Sequence, residues 1–297
     1  MLLLTPWLIS HAQICNDDVT GQDAGQTPLV EPSITSGLTT GQGFSHYHSS
    51  PIPKIRDNVE SNPGDGFPFR LYVTPEDQAI EALAAQINGV GDAYKMAVQW
   101  AYVSEQRLNH VGDKWLTPHE FLANTPHYPD NPLKGEAVSD CEEQAHTLVS
   151  LIRAEGIRPE AVRVALGEVR FDDEATGHAW AELLTNGHWV ALDPSWGPYW
   201  DDKAEKLVCR RGVPFDYYAS HTYPVLQVWA YYNDIYYLDP RDGSGNAPAS
   251  WRKTTPAKWT GKSQCFPLFT SVRIGTAQKS FLFNTISLSK IVTTFRI

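Results

Sequence analysis

Three side chains of the 297-residue sequence have the types needed for thiol chemistry on an acyl group: Cys141, His178 and Asp193. Cys141 stands near the head of "SDCEEQAHTLVSLIRAEGI", residues 139–157. Ser139 and Glu142 have capping-box spacing, Asp140 is an alternative cap, and Gly156 is a helix stop. A helix is therefore predicted with the cysteine in its first turn. Cys141, Ala145, Leu148, Val149 and Ile152 recur at helical intervals, which places the thiol at the end of the inward-facing stripe. A helix N-terminus favours thiolate, but Asp140, Glu142 and Glu143 oppose it, so nucleophilic attack would need a general base.

A hairpin offers that base. "HAWAELL" and "HWVALD" read as strands, and the Asn186-Gly187 pair between them is a strong two-residue turn signal. Counting back from this turn puts Trp180 opposite Asp193 and makes His178 the diagonal neighbour of Asp193 on the same face. Ala179, Ala181, Leu183, Val190 and Leu192 form the other, apolar face. A carboxylate on one ring nitrogen would leave the second nitrogen for the thiol, which is the logic of a Cys-His-Asp triad in acyl transfer. Each residue also has a plainer reading: a cysteine as apolar filler, a structural histidine, an Asp-Pro that ends a strand. Their coincidence on three elements favours chemistry. His146, five residues beyond Cys141, points off its face, which argues against a Cys-His metal pair. His188 lies on the other hairpin face, and His46, His48 and His110 fall in loop or linker.

The elements that must carry these residues follow a simple order. Residues 1–66 are rich in Gly, Ser, Thr, Pro and Gln and read as a disordered leader. A helix is expected from Thr74-Pro75, carrying Ile80, Leu83, Ala84 and Ile87. A second carries Ala93, Met96, Ala97 and Trp100 and continues to about 108. A third starts at "WLTPHEFLA", where Thr117 and Glu120 form a capping box. Beyond Gly156, "AVRVALGEV", the hairpin and "VLQVWAYYNDIYYL" read as strands. Helices followed by antiparallel strands argue for an α+β domain over 67–242, with 243–297 a basic tail of unassigned role.

Composition limits the alternatives. The net charge of −10 gives no sign of a nucleic-acid partner. No Asp or Glu follows Asp242, whereas eight Lys and Arg do. Four cysteines without a C-x-x-C pair exclude a disulfide scaffold and give a structural zinc site no support; Cys209 with Cys265 is the bridge considered. No metal and no other cofactor is expected. "DPRDGSGN" lacks EF-hand spacing. "MLLLTPWLISHA" resembles the end of a signal peptide without its basic start, which suggests an extracytoplasmic protein, and no segment is long and apolar enough to span a bilayer.

The motifs "DCEEQAHTLVSLIRAEGI", "GHAWAELL", "NGHWVALDPSWG" and "WLTPHEFL" resemble, in order, those of the transglutaminase-like superfamily. The resemblance implies a papain-like α+β fold with the nucleophile helix packed on an antiparallel sheet. It also implies Cys141 as nucleophile, His178 as base and Asp193 as orienting acid, acting on amide bonds of a protein or peptide such as a cell-wall peptide. It suggests an upstream tryptophan as a second oxyanion donor, for which Trp115 and Trp100 both stand available. Cleavage by a cysteine peptidase or amidase is expected ahead of cross-linking. The sequence departs from the family in having Ser139 where Gly commonly precedes Asp-Cys. Trp180, Trp196, Tyr199 and Trp200 are candidates for the rim of a cleft. An inactive module that grips a peptide or glycan there is the competing reading. The run Asp172-Asp173-Glu174 reads as a solvated loop.

Overall fold

A computed structural model of the chain describes residue 15 and residues 67–171 and 174–252. The expected leader, except Cys15, and the tail beyond 252 lie outside the described residues, as do His46, His48, Asp172 and Asp173. The helices are α1 (Phe67–Arg70), α2 (Gln78–Ala84), α3 (Val90–Ala97), α4 (Glu105–Asn109), α5 (Cys141–Ala154), α6 (Tyr217–Ser220) and α7 (Ala249–Arg252). The strands are β1 (Ala101–Tyr102), β2 (Val138–Ser139), β3 (Val162–Phe171), β4 (Glu174–Thr185), β5 (His188–Leu192), β6 (Tyr199–Asp201), β7 (Lys206–Val208), β8 (Val225–Tyr232) and β9 (Tyr237–Leu238). The fold is α+β, with α5 packed on an antiparallel sheet.

That sheet has the order β5-β4-β3-β8-β9. Asn186 and Gly187 adopt φ of 51° and 79°, the left-handed pair that a tight hairpin needs. The register then runs from Thr185 opposite His188 to Ala181 opposite Leu192, as the turn count predicts. Val164, Leu166, Ala179, Ala181, Leu192, Ala230 and Tyr232 share one core with Ala145, Leu148, Val149 and Ile152 of α5. Small alanines on β4 let the helix lie close to the sheet. Helices α2 and α3 contribute to the same core, so α5 is covered on both sides. Its His146, Thr147 and Ser150 are buried along with the apolar stripe. Gly156, at φ 87°, closes the helix, and Ile157 N–H reaches back to the Ile152 carbonyl.

A smaller sheet, β2-β1-β6-β7, leads the chain into α5: β1 pairs in parallel with both β2 and β6. This sheet explains why the second expected helix breaks. Its polypeptide leaves α3 at Ala97, forms β1 and resumes as α4, because residues 101–102 are claimed by distant strands. The first helix also starts later than Thr74-Pro75, since Asp77 caps it by accepting the Ala79 N–H. The Thr117–Glu120 capping box forms in both directions, with Glu120 Oε2 accepting Thr117 N–H at 2.8 Å.

One pairing left open by the sequence is decided and one expected boundary is corrected. Cys209 is bridged to Cys15, with Cα atoms 5.7 Å apart, so it is not available to Cys265. Residues 243–252 belong to the folded body: Trp251 is fully buried, and its indole donates to the Glu160 carbonyl. Its ring lies edge-on to Trp189 and Tyr236 on the sheet face opposite α5. On the same face the buried Arg163 guanidinium sits between Trp189 and Tyr231, 3.7 and 3.5 Å from their centroids, and pairs with Glu182. The "DPRDGSGN" loop is closed by its own side chains, Asp239 holding Arg241 and Asp242 accepting Ser244 N–H.

Candidate functional site

The structure places His178 and Asp193 in direct contact. His178 is on β4, and Asp193 follows the last residue of β5. Nε2 of the ring lies 2.9 Å from Asp193 Oδ2, with both side chains almost completely buried, 1% and 0% exposed. Asp193 Oδ1 accepts both the Ser195 N–H, at 3.1 Å, and the Ser195 hydroxyl, at 2.7 Å. Oδ2 also accepts the Tyr223 hydroxyl at 2.7 Å, and the Asp193 carbonyl accepts Tyr94 Oη–H at 3.3 Å. Burial pushes the Asp193 carboxyl up, but the His178 charge and the bonds from His178, Ser195 and Tyr223 hold it below its ordinary value. A carboxylate so fixed can orient an imidazole and bear the charge opposite an imidazolium.

Cys141 opens α5 and is buried. The backbone N–H of Ala179, the residue after His178, acts on its sulfur, so α5 and β4 meet at the thiol. The thiol also lies 3.0 Å from Glu142 Oε2. Burial pushes the thiol well up, the Glu142 and Asp140 charges and the Glu142 bond add to this, and the Ala179 N–H opposes it. The sequence reading that acids beside the helix end would offset the dipole is met in this balance.

Ser139 does not form the expected box with Glu142. Its hydroxyl donates to Glu143 Oε2 at 2.7 Å, and Glu143 Oε1 takes the Leu116 N–H at 2.7 Å. Asp140, at the cap position, makes no side-chain capping bond. The hydroxyl that replaces the family's glycine hydrogen thus ties together a knot of acids. Among the described residues, oxygen atoms of Glu105, Asp140 and Glu143 lie within 4.8 Å of one another, and so do the donor atoms of Asp140, Cys141 and Glu142. Carboxylates this close either surround a hard cation or share protons. Burial comes first and the neighbouring charges second. They raise Glu105 to about 8 and Asp113 to about 7. Burial also lifts Glu143 to about 7.

A stability prediction follows from the sign of these shifts. Groups whose folded pKa is raised bind more protons folded than unfolded, so their stabilisation is complete below the ordinary carboxyl range and is lost as pH rises through the folded value. Thermal stability should therefore fall from about pH 4.5 to 8, the interval bounded by the Glu105 values. Glu105→Gln should flatten that fall, melting roughly 3–6 °C above wild type at pH 8. A variant with an unchanged pH slope in calorimetry would refute the assignment.

The other candidates separate. Trp180 is fully enclosed, its ring parallel to that of His178 with centroids 6.2 Å apart and its indole donating to Glu182, so it cannot line an open cleft. Trp196 is half-buried and edge-on to Phe171, which is itself edge-on to His178. Tyr199 lies under Arg210, and Trp200 joins the small core around Ala101 and Val138. Trp100 is edge-on to Phe121, one residue before the Ala101–Val138 ladder pair. Trp115 packs among Phe69, Tyr72 and His146. His146 bonds the Tyr232 hydroxyl at 2.7 Å, and burial lowers its pKa to about 3, so it stays neutral, as an ordinary core histidine does.

Sequence reasoning missed Ser195, Tyr223 and Tyr94. Ser195 had a local signal, because an Asp followed two residues on by Ser can form a side-chain turn. The tyrosines lie 30 and 99 residues from Asp193 and carried none.

A family model described as the transglutaminase-like superfamily matches residues 81–194, the span that holds Cys141, His178 and Asp193. Among solved structures, calcium-bound LapG of Legionella pneumophila matches with 14% identity and a TM-score of 0.36, over 60% of this chain and 96% of that one. A protein of Cytophaga hutchinsonii described as a candidate cysteine protease matches with 16% identity and a TM-score of 0.31, over 49% of this chain and 47% of that one. No curated protein matches the sequence. Residues 81–194 are thus a domain of the transglutaminase-like superfamily.

Proposed function

We propose that this chain is a thiol-dependent amide hydrolase of the cysteine-peptidase type, using Cys141 as nucleophile, His178 as proton carrier and Asp193 as its orienting acid. The observation that carries the reading is the buried 2.9 Å contact between His178 Nε2 and Asp193 Oδ2, made one peptide away from the N–H that meets the Cys141 sulfur. With Nε2 committed to the carboxylate, Nδ1 is the nitrogen left to take the thiol proton.

The sulfur attacks the carbonyl carbon of the bound amide as its proton passes to His178. The new C–S bond pushes charge onto the carbonyl oxygen, which the Cys141 backbone N–H at the start of α5 can receive. Collapse breaks the C–N bond, and the imidazolium returns its proton to the departing amine. A thioester remains. Water, losing a proton to His178, then attacks it, and the acid and the thiol are released. An amine in place of that water would give transfer; water needs no site of its own, which favours hydrolysis. A raised thiol pKa suits this scheme, because attack is then coupled to His178 and idle thiolate does not accumulate.

A protein or peptide substrate and an extracytoplasmic location belong to the same proposal. The location is supported by the Cys15–Cys209 bridge, since such bonds persist in oxidising compartments. The bridge spans 194 residues and constrains the unfolded chain by roughly 5 kcal/mol in the chain-entropy account. Among the described residues no helix is long and apolar enough to cross a membrane.

The test is cleavage of a pooled library of peptide amides before and after graded treatment with iodoacetamide, with the modified residue mapped by peptide mass. Loss of cleavage should track alkylation of Cys141. Cleavage that survives complete alkylation of that residue would overturn the proposal.

A further inference from the structure

We infer that Tyr223 is a positioning residue for the thiol reaction, sharing Asp193 Oδ2 with His178 so that the carboxylate holds the imidazolium firmly enough to orient it but loosely enough to let its proton go. The inference rests on the proposed roles of Cys141, His178 and Asp193, and it concerns a residue outside that set.

The geometry assigns a different task to each donor on the carboxylate. Ser195 makes two bonds to Oδ1, which is sufficient to fix the rotation of the group. Tyr223 reaches the other oxygen, the one in contact with His178, at 2.7 Å. A hydroxyl bonded to Oδ2 withdraws charge from the atom that faces the ring. The tyrosine is itself held in place. Its ring packs 4.9 Å from Trp180 and 4.9 Å from Tyr218, the Trp180 ring runs parallel to that of His178, and the Tyr223 carbonyl accepts the Val225 N–H as β8 begins. Burial first and the Asp193 charge second keep the hydroxyl protonated, so it acts only as a donor toward the carboxylate.

The titratable groups around His178 are Asp193 at Nε2, then Tyr223, Tyr218 and Tyr94 beside the same carboxylate, and Cys141 at the neighbouring Ala179 peptide. Of these, Tyr223 donates to the Asp193 carboxylate beside His178, as Ser195 does from the other side. Removing the Tyr223 hydroxyl should strengthen the grip of Asp193 on the imidazolium. Proton return to the leaving amine should slow, while capture of the thiol by an alkylating agent, which needs no leaving-group proton, should not.

The experiment uses the full chain, with His178 followed by NMR of labelled histidine and assigned with His178→Gln. Tyr223→Phe should raise the His178 titration by about half to one unit. It should cut cleavage of the best library amide about tenfold and leave the iodoacetamide rate at Cys141 unreduced. A substitution that merely loosened the site would lower both rates. Placing 3-fluorotyrosine at 223 keeps the shape, makes the hydroxyl a stronger donor, and should shift the titration down; it decides the matter if Tyr223→Phe does not fold. A titration that fails to move, or moves the wrong way in the variant that folds, overturns the role of Tyr223. If instead alkylated Cys141 still supports cleavage, it is the thiol reading that has failed.

Discussion

Asp193→Asn is expected to cut amide cleavage by roughly 10³- to 10⁴-fold while the fold stays in place. The amide can keep its oxygen on Ser195, where Oδ1 now takes two bonds. Its NH2 group then occupies the position of Oδ2, facing both the Tyr223 hydroxyl and His178 Nε2. An N–H pointed at Nε2 makes that nitrogen an acceptor and puts the ring proton on Nδ1. The nitrogen meant to take the thiol proton would already carry one. Loss of the carboxylate also removes the charge that an imidazolium needs, so two effects act in the same direction. Alkylation of Cys141 should slow at pH 7 and recover in alkali, where the thiol ionises unaided. A second signature separates the charge from the shape. The depressed Asp193 pKa means that its stabilisation exists above the ordinary value of 3.8 and is lost as pH falls through the folded value. Wild type should lose that increment in strong acid, and the Asn variant should not. A drop in cleavage of less than tenfold would show that Asp193 does not orient the histidine.

Much of this arrangement was legible in local chemistry. The period of α5, its Gly156 stop, the alternation of β4 and β5 and the Asn186-Gly187 turn are written within a few residues of where they act. Because the turn has only two residues, the register followed, and with it the meeting of His178 and Asp193. What was not legible depended on distant partners. Residues 98–104 keep helical character, but pairing of β1 with β2 and β6 overrides it. Ser139 has a good box partner in Glu142 and uses Glu143 instead, since Glu143 is also drawn inward by the Leu116 N–H. Trp251 looked like part of a basic tail, yet a pocket formed by Trp189, Tyr236 and Glu160 takes it into the body. The same holds for Tyr223: nothing in its neighbourhood in the chain announces a bond to Asp193.

Gly197 shows the same dependence at the level of one hydrogen atom, and Gly197→Ala should destabilise the domain by roughly 3–5 kcal/mol. A methyl carbon built there lies 2.1 Å from the Val98 carbonyl oxygen and 3.0 Å from its carbon, both backbone atoms that cannot turn aside. Val98 caps the C-terminus of α3, and its N–H is already bonded to the Tyr94 carbonyl. Tyr94 in turn donates its hydroxyl to the Asp193 carbonyl. The segment after Asp193 is therefore pressed against the end of α3, and the substitution must pry the two apart beside Asp193. The melting temperature should fall by roughly 8–15 °C. The fraction still folded should cleave amides about 10- to 100-fold more slowly, since displacement of a reacting group by about an ångström has that effect. Gly91→Ala is the matched control. It lies within α3, its added methyl meets nothing within 4 Å, and removing a helical glycine should stabilise by about 0.5–1 kcal/mol. The same chemical change should thus move stability in opposite directions at two sites on one helix and its contact. Equal effects from the two variants in thermal melts would mean that the close approach of Gly197 to Val98 is not what holds the Asp193 segment in place.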